Sequence, residues 1–96
     1  MGEAFRHEEG VSEQYRNEIE EGVHLAKEFL FDSWKMLLAE PVLVESCVSD
    51  GVAGYANRNY MGFHTGSPVW IETTTRQRSK IAVHEYLHLA QLQLDD

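Results

Sequence analysis

The chain has 96 residues, 43% of them apolar and 25% charged, which suits one small domain with one core and is too short for two. Its formal net charge of −8 sits mostly in the first half, where residues 1–50 carry twelve acids and four bases while residues 51–96 carry four of each. That excess of acid argues against a phosphate-binding surface and so against nucleic acid as partner, and no run approaches the roughly eighteen apolar residues of a membrane span.

The opening residues, MGEAFRHEEG, have neither the basic nor the apolar region of a signal peptide, and residues 1–11 read as a polar arm of a soluble chain. A helix is expected over 12–39. Tyr15, Ile19, Val23, Ala26, Leu30, Trp34 and Leu37 recur in steps of four and three, which places them on one face. Ser12 suits the N-cap, Glu13 and Lys35 suit the two ends of the helix dipole, and Pro41 forces the chain out of helix. Glu13, Glu18, Glu20, Glu21 and Glu28 fall mostly away from that stripe and read as a solvated outer face.

After Pro41 the texture becomes β-like. VLVESCV (42–48) is β-branched, with Val42, Val44 and Val48 on one side, and Cys47 reads as a small apolar strand residue with no disulfide partner in the chain. Glycines 51, 54, 62 and 66 mark bends or close approaches, and a hairpin is expected to turn near Asn57-Arg58-Asn59. VWIETT (69–74) alternates as a half-buried strand does. A last helix over 75–94 follows the capping box formed by Thr74 and Gln77. The fold class is therefore α+β: a long N-terminal helix, a small mixed sheet of three to four short strands, and a C-terminal helix, all in one domain.

That last helix contains AVHEYLHLAQ, in which His84 and His88 stand four apart with Glu85 beside the first. Residues so spaced share a helix face, so two imidazoles can reach one zinc ion at about 2.0–2.1 Å. Glu85 projects beside the metal rather than at it, placed to take a proton from a water that the metal acidifies and to pass it to a leaving amine. Counting about 100° per residue, the least apolar sector of the helix lies near Tyr86 and Gln93. The histidine face is accordingly expected to point inward, opposite the solvent.

The motif resembles the active helix of the zincin metallopeptidases, in which H-E-x-x-H supplies two zinc ligands and the general base. The resemblance covers residues 42–94 and implies a mixed sheet whose edge strand binds an extended peptide, a backing helix, and the active helix beneath the sheet. The metzincin continuation is absent, since Gln91 stands in place of its glycine and Leu94 in place of its third histidine. A gluzincin-like site would take its third ligand from a following helix. His64 and Asp95 are the candidates within this chain, but an unbroken helix carries Asp95 about 10 Å past His88. His7 and His24 are weaker candidates. The expectation is an incomplete catalytic domain whose third ligand lies in a missing C-terminal part.

The function expected on these grounds is a zinc-dependent peptidase acting on peptide or protein substrates, with Glu85 catalytic and His84 and His88 on Zn2+. Tyr55, Tyr60 and Arg58 are candidates to steady the oxyanion. The alternative is a non-catalytic module of the same fold that binds a protein partner, and an uncovered apolar face on the last helix would favour a homodimer.

Overall fold

The computed structural model of the chain describes residues 3–36, 38 and 42–95. Helix α1, Glu13–Trp34, starts where its cap was expected: Ser12 is extended and its Oγ accepts the Tyr15 amide at 3.2 Å. It stops earlier than residue 39. Lys35 enters the left-handed region at φ 50°, and its amide bonds the Phe31 carbonyl at 3.0 Å, closing the helix without a proline. Leu37 and Pro41, expected to extend and end the helix, and Asp96 lie outside the described residues. Ile19, Val23, Ala26 and Leu30 are buried as their spacing requires, whereas Trp34 in the last turn is 68% exposed.

Four strands follow the order β1-β2-β4-β3, with β1 Glu3–His7, β2 Val42–Cys47, β3 Gly54–Ala56 and β4 Tyr60–His64. β1, β2 and β4 run parallel, and β3 pairs antiparallel with β4 at the edge. The expected polar arm is thus corrected, for half of it is a sheet strand. Its pairing is non-local, with Phe5 opposite Val44 and His7 opposite Ser46. His7 fastens it, since Nδ1 meets Ser46 Oγ at 2.7 Å and Nε2 meets Glu20 Oε2 at 2.9 Å. In β2, Val42 and Val44 enter the core, but Val48 falls beyond the strand and is exposed. Cys47 lies in the strand, half-buried, with Sγ 3.1 Å from Ser49 Oγ. The hairpin turns at residues 57–59 as expected.

Residues 69–74 do not form a strand. Pro68 presets the helical φ at the first position of a short helix, α2, Pro68–Ile71. The wholly buried Trp70 then holds that turn against Phe63 and Tyr15, with ring centroids 5.6 and 5.8 Å away. Thr74 follows as N-cap of α3, Thr75–Leu94, with both bonds of the capping box formed to Gln77.

Helices α1 and α3 pack together beside the sheet, and Gly22 sets their separation. A Cβ there would strike the Ser79 carbonyl oxygen and lie 2.6 Å from the Ala82 Cβ. Gly22→Ala would gain about 1 kcal/mol of helix propensity, but crowding a packed contact costs about 1–3 kcal/mol and is hard to relieve against backbone. The expected outcome is a net loss of stability, read as a lower urea midpoint at unchanged slope. At the head of the same contact, Arg78 reaches across to Glu18, Nε to Oε1 at 2.7 Å and Nη2 to Oε2 at 3.1 Å, with both side chains buried. Glu18 therefore does not belong to the solvated outer face. No described helix is long and apolar enough to cross a membrane.

Candidate metal centre

Helix α3 buries the sector that its sequence assigns to solvent. Arg78, Ala82, Tyr86, Leu89 and Ala90 are buried, so the sector holding Tyr86 is core and not solvent. His84 and His88 are exposed, and Glu85 is half-buried. The reason lies in α1: the close approach at Gly22 demands a small residue opposite, and Ala82 supplies it, which rotates the histidines outward. Val83 and Leu87 flank the core half-buried, and Leu94 is 65% exposed.

On this open face the two rings meet. His84 and His88 bring their Nε2 atoms to 2.9 Å, one donating its N–H to the other, with centroids 4.3 Å apart and planes at 89°. Two nitrogens bound at about 2.0–2.1 Å to a tetrahedral ion stand roughly 3.3 Å apart. The observed spacing is close to that, and the rings would have to turn out of their mutual hydrogen bond to present both nitrogens to one ion. Among the described residues no group of three or more His, Cys, Asp and Glu side chains gathers to complete such a site.

The other candidate ligands are accounted for by their own contacts. His64 pairs in register with Cys47, next to the buried Phe63, which turns it to the far side of the sheet; its Nδ1 donates to the Val52 carbonyl at 2.7 Å. Asp95 caps α3, its amide bonding the Gln91 carbonyl at 3.0 Å, so the helix runs unbroken past His88. His7 is tied to Ser46 and Glu20 as described, and His24 is exposed beside Glu28 at 3.5 Å.

Glu85 is positioned by β3. Gly54 passes so close over it that a Cβ would stand 2.9 Å from Glu85 Cγ and 3.0 Å from Oε2, so glycine is what lets strand and carboxylate approach. Asn57 and Ala53 make the hairpin bonds to Tyr60 and His64, which by antiparallel alternation turns the amides and carbonyls of Gly54 and Ala56 toward the open edge. The outer edge of β3 has no neighbouring strand among the described residues. Glu85 thus lies directly below backbone groups available to an incoming chain.

The candidate oxyanion residues are placed elsewhere. Tyr55 lies flat across Gly62, where a Cβ would strike its ring, and its hydroxyl donates to Glu45 Oε1 at 3.3 Å. Burial first, then the charge of Glu45, push its phenol up to about 12. It therefore occupies the sheet face opposite to Glu85. Tyr60 precedes the buried Met61 and so faces the same outer side, with its ring 6.2 Å from Tyr55. The Arg58 carbonyl accepts a bond from Gln93 at 3.0 Å, which sets that turn beside the end of α3 rather than beside the histidines. No family model matches the sequence, and comparisons with curated proteins and with solved structures found no match.

Proposed function

We propose that the chain is a zinc-dependent peptidase domain, with His84 and His88 as metal ligands and Glu85 as general base. One observation carries the reading: two imidazole nitrogens lie 2.9 Å apart on an exposed helix face, beside a carboxylate held under a strand edge that has no neighbouring strand among the described residues. Zinc, when bound, supplies Lewis-acid polarisation and a water acidic enough to deprotonate near neutral pH. The rest is the work of this chain. The edge groups of Gly54 and Ala56 can hold a peptide as an added strand, which fixes its scissile carbonyl above the histidines. Glu85 then takes the proton from the attacking water and returns it to the leaving amine nitrogen.

A zinc titration of the full chain tests this. Binding of one ion per chain is expected, with His84→Ala or His88→Ala weakening it at least tenfold, or about 1.4 kcal/mol, and with the metal-loaded protein cleaving a peptide library. Failure to bind zinc at micromolar concentrations would favour the second reading, a non-catalytic module that binds a protein partner. That alternative draws support from the same site, which supplies only two ligands among the described residues.

A further inference from the structure

We infer that the cleft beside the histidines is a subsite for an apolar residue followed by a carboxylate, and that Lys80 holds the carboxylate. The inference rests on the peptidase reading for the bond that reacts, although the binding itself does not require cleavage. The cleft, about 580 Å³, is floored by the face of α3 that runs from Gln77 through Lys80 and Ile81 to His84 and Glu85. Its other side comes from residues 51–54, Ser67 and Val69. Val52 and Val69 are 62% and 61% exposed, and Ile81 is half-buried, so three branched apolar side chains border an unfilled space. A peptide side chain of medium size seated there would remove that surface from water.

Charge gives the cleft a direction. Lys80 is the single cation among its lining residues, is exposed, and forms no ion pair among the described residues. It precedes His84 by one helical turn on the same face, about 6 Å along the axis. A peptide extended along α3 advances about 3.3 Å per residue, so in that pose a carboxylate one or two residues beyond the bond over His84 comes level with the Lys80 ammonium. Glu85 stands at the other end of the cleft and repels the same group. In a chain of net charge −8, Lys80 gives an anionic peptide end an attractive partner at its own end of the cleft. The carboxylate can be a chain terminus or an Asp or Glu side chain.

Three acetylated tetrapeptides that share one leucine separate these sources: one with a free C-terminal carboxylate, one amidated with an aspartate after the leucine, and one amidated and neutral. Their dissociation constants for the full zinc-loaded chain would be read from NMR shifts of the α3 amides, and cleavage followed in the same samples. About tenfold tighter binding is expected for at least one carboxylate peptide than for the neutral one, and which of the two shows it identifies the source. Lys80→Met should bring the carboxylate peptides down to the affinity of the neutral one, and Lys80→Glu should make them weaker than it. Equal affinities in the parent protein, no binding of any peptide at millimolar concentration, or a preference that survives Lys80→Met would overturn the inference. Carboxylate-dependent binding without cleavage would leave the subsite standing and remove the peptidase reading, while cleavage without carboxylate preference would do the reverse.

Discussion

Arg78→Met is expected to cost the fold about 3–5 kcal/mol, the usual penalty for removing one partner of a buried ion pair. The guanidinium binds both oxygens of Glu18, donates to the carbonyls of Trp70 and Thr73, and lies over the Tyr15 ring at 4.9 Å. Its loss leaves the buried Glu18 carboxylate without its charge partner and takes a donor from the Thr73 carbonyl, while the Trp70 carbonyl keeps the Thr73 hydroxyl at 2.7 Å, all at the point where α1, α2 and α3 meet. Methionine fills most of the volume and none of the bonding, so the loss reads as electrostatic and not as a cavity. A denaturant titration would show it as a lower midpoint at constant slope. Replacing both residues by methionine should recover a large part of the loss, because the pair then disappears with its desolvation cost. A double variant no more stable than Arg78→Met would contradict this account.

The same pair predicts a pH signature. Burial on its own would raise the Glu18 pKa, but hydrogen bonds from Arg78, Thr75 and Gln14 and the guanidinium charge outweigh it and hold the carboxyl below 4.5. A lowered folded pKa gives stability that is fully present above the unfolded value and is lost as pH falls through the folded one. The parent protein should therefore weaken on acidification below about pH 4.5. In Arg78→Met only burial and the weaker neutral bonds remain, so the folded pKa should rise and acidification should relieve the variant.

The sequence was most legible where structure is local. Ser12, the Thr74–Gln77 box and the turn at residues 57–59 each act within three or four residues, and each forms as its spacing implies. It was least legible where a distant partner decides. Residues 3–7 are a strand because β2 lies alongside, and nothing in EAFRH alternates strongly enough to announce it. VWIETT alternates well but becomes a helical turn, because Pro68 starts one and Trp70 is pulled into the core. Glu18 looked solvated among its acidic neighbours because its partner is sixty positions away. The face of α3 was the costliest error: apolar residues nearly surround that helix, so periodicity could not choose a side, and the choice belonged to Gly22 and Ala82. The histidine pair itself was readable, since four-residue spacing fixes its convergence whichever way the helix turns.

Glu85→Gln is expected to lower peptide turnover by about 10²–10⁴-fold, the range over which a positioned general base contributes. Glutamine has the same length and should keep the close seat under Gly54, while its amide cannot accept the proton of the attacking water. On the proposed reading, in which His84 and His88 would hold the ion, zinc affinity and thermal midpoint should stay near those of the parent, since among the described residues Glu85 takes part in no buried ion pair. That combination separates loss of chemistry from loss of structure. Glu85→Asp sharpens the test, because it keeps the carboxylate but draws it back by one methylene; about 1 Å of misplacement can cost 10²-fold in rate, so its turnover should fall between the other two. Equal zinc occupancy and undiminished cleavage in Glu85→Gln would show that the proton goes elsewhere. In a chain that only binds a partner, the substitution would change neither metal affinity, nor fold, nor the partner's dissociation constant.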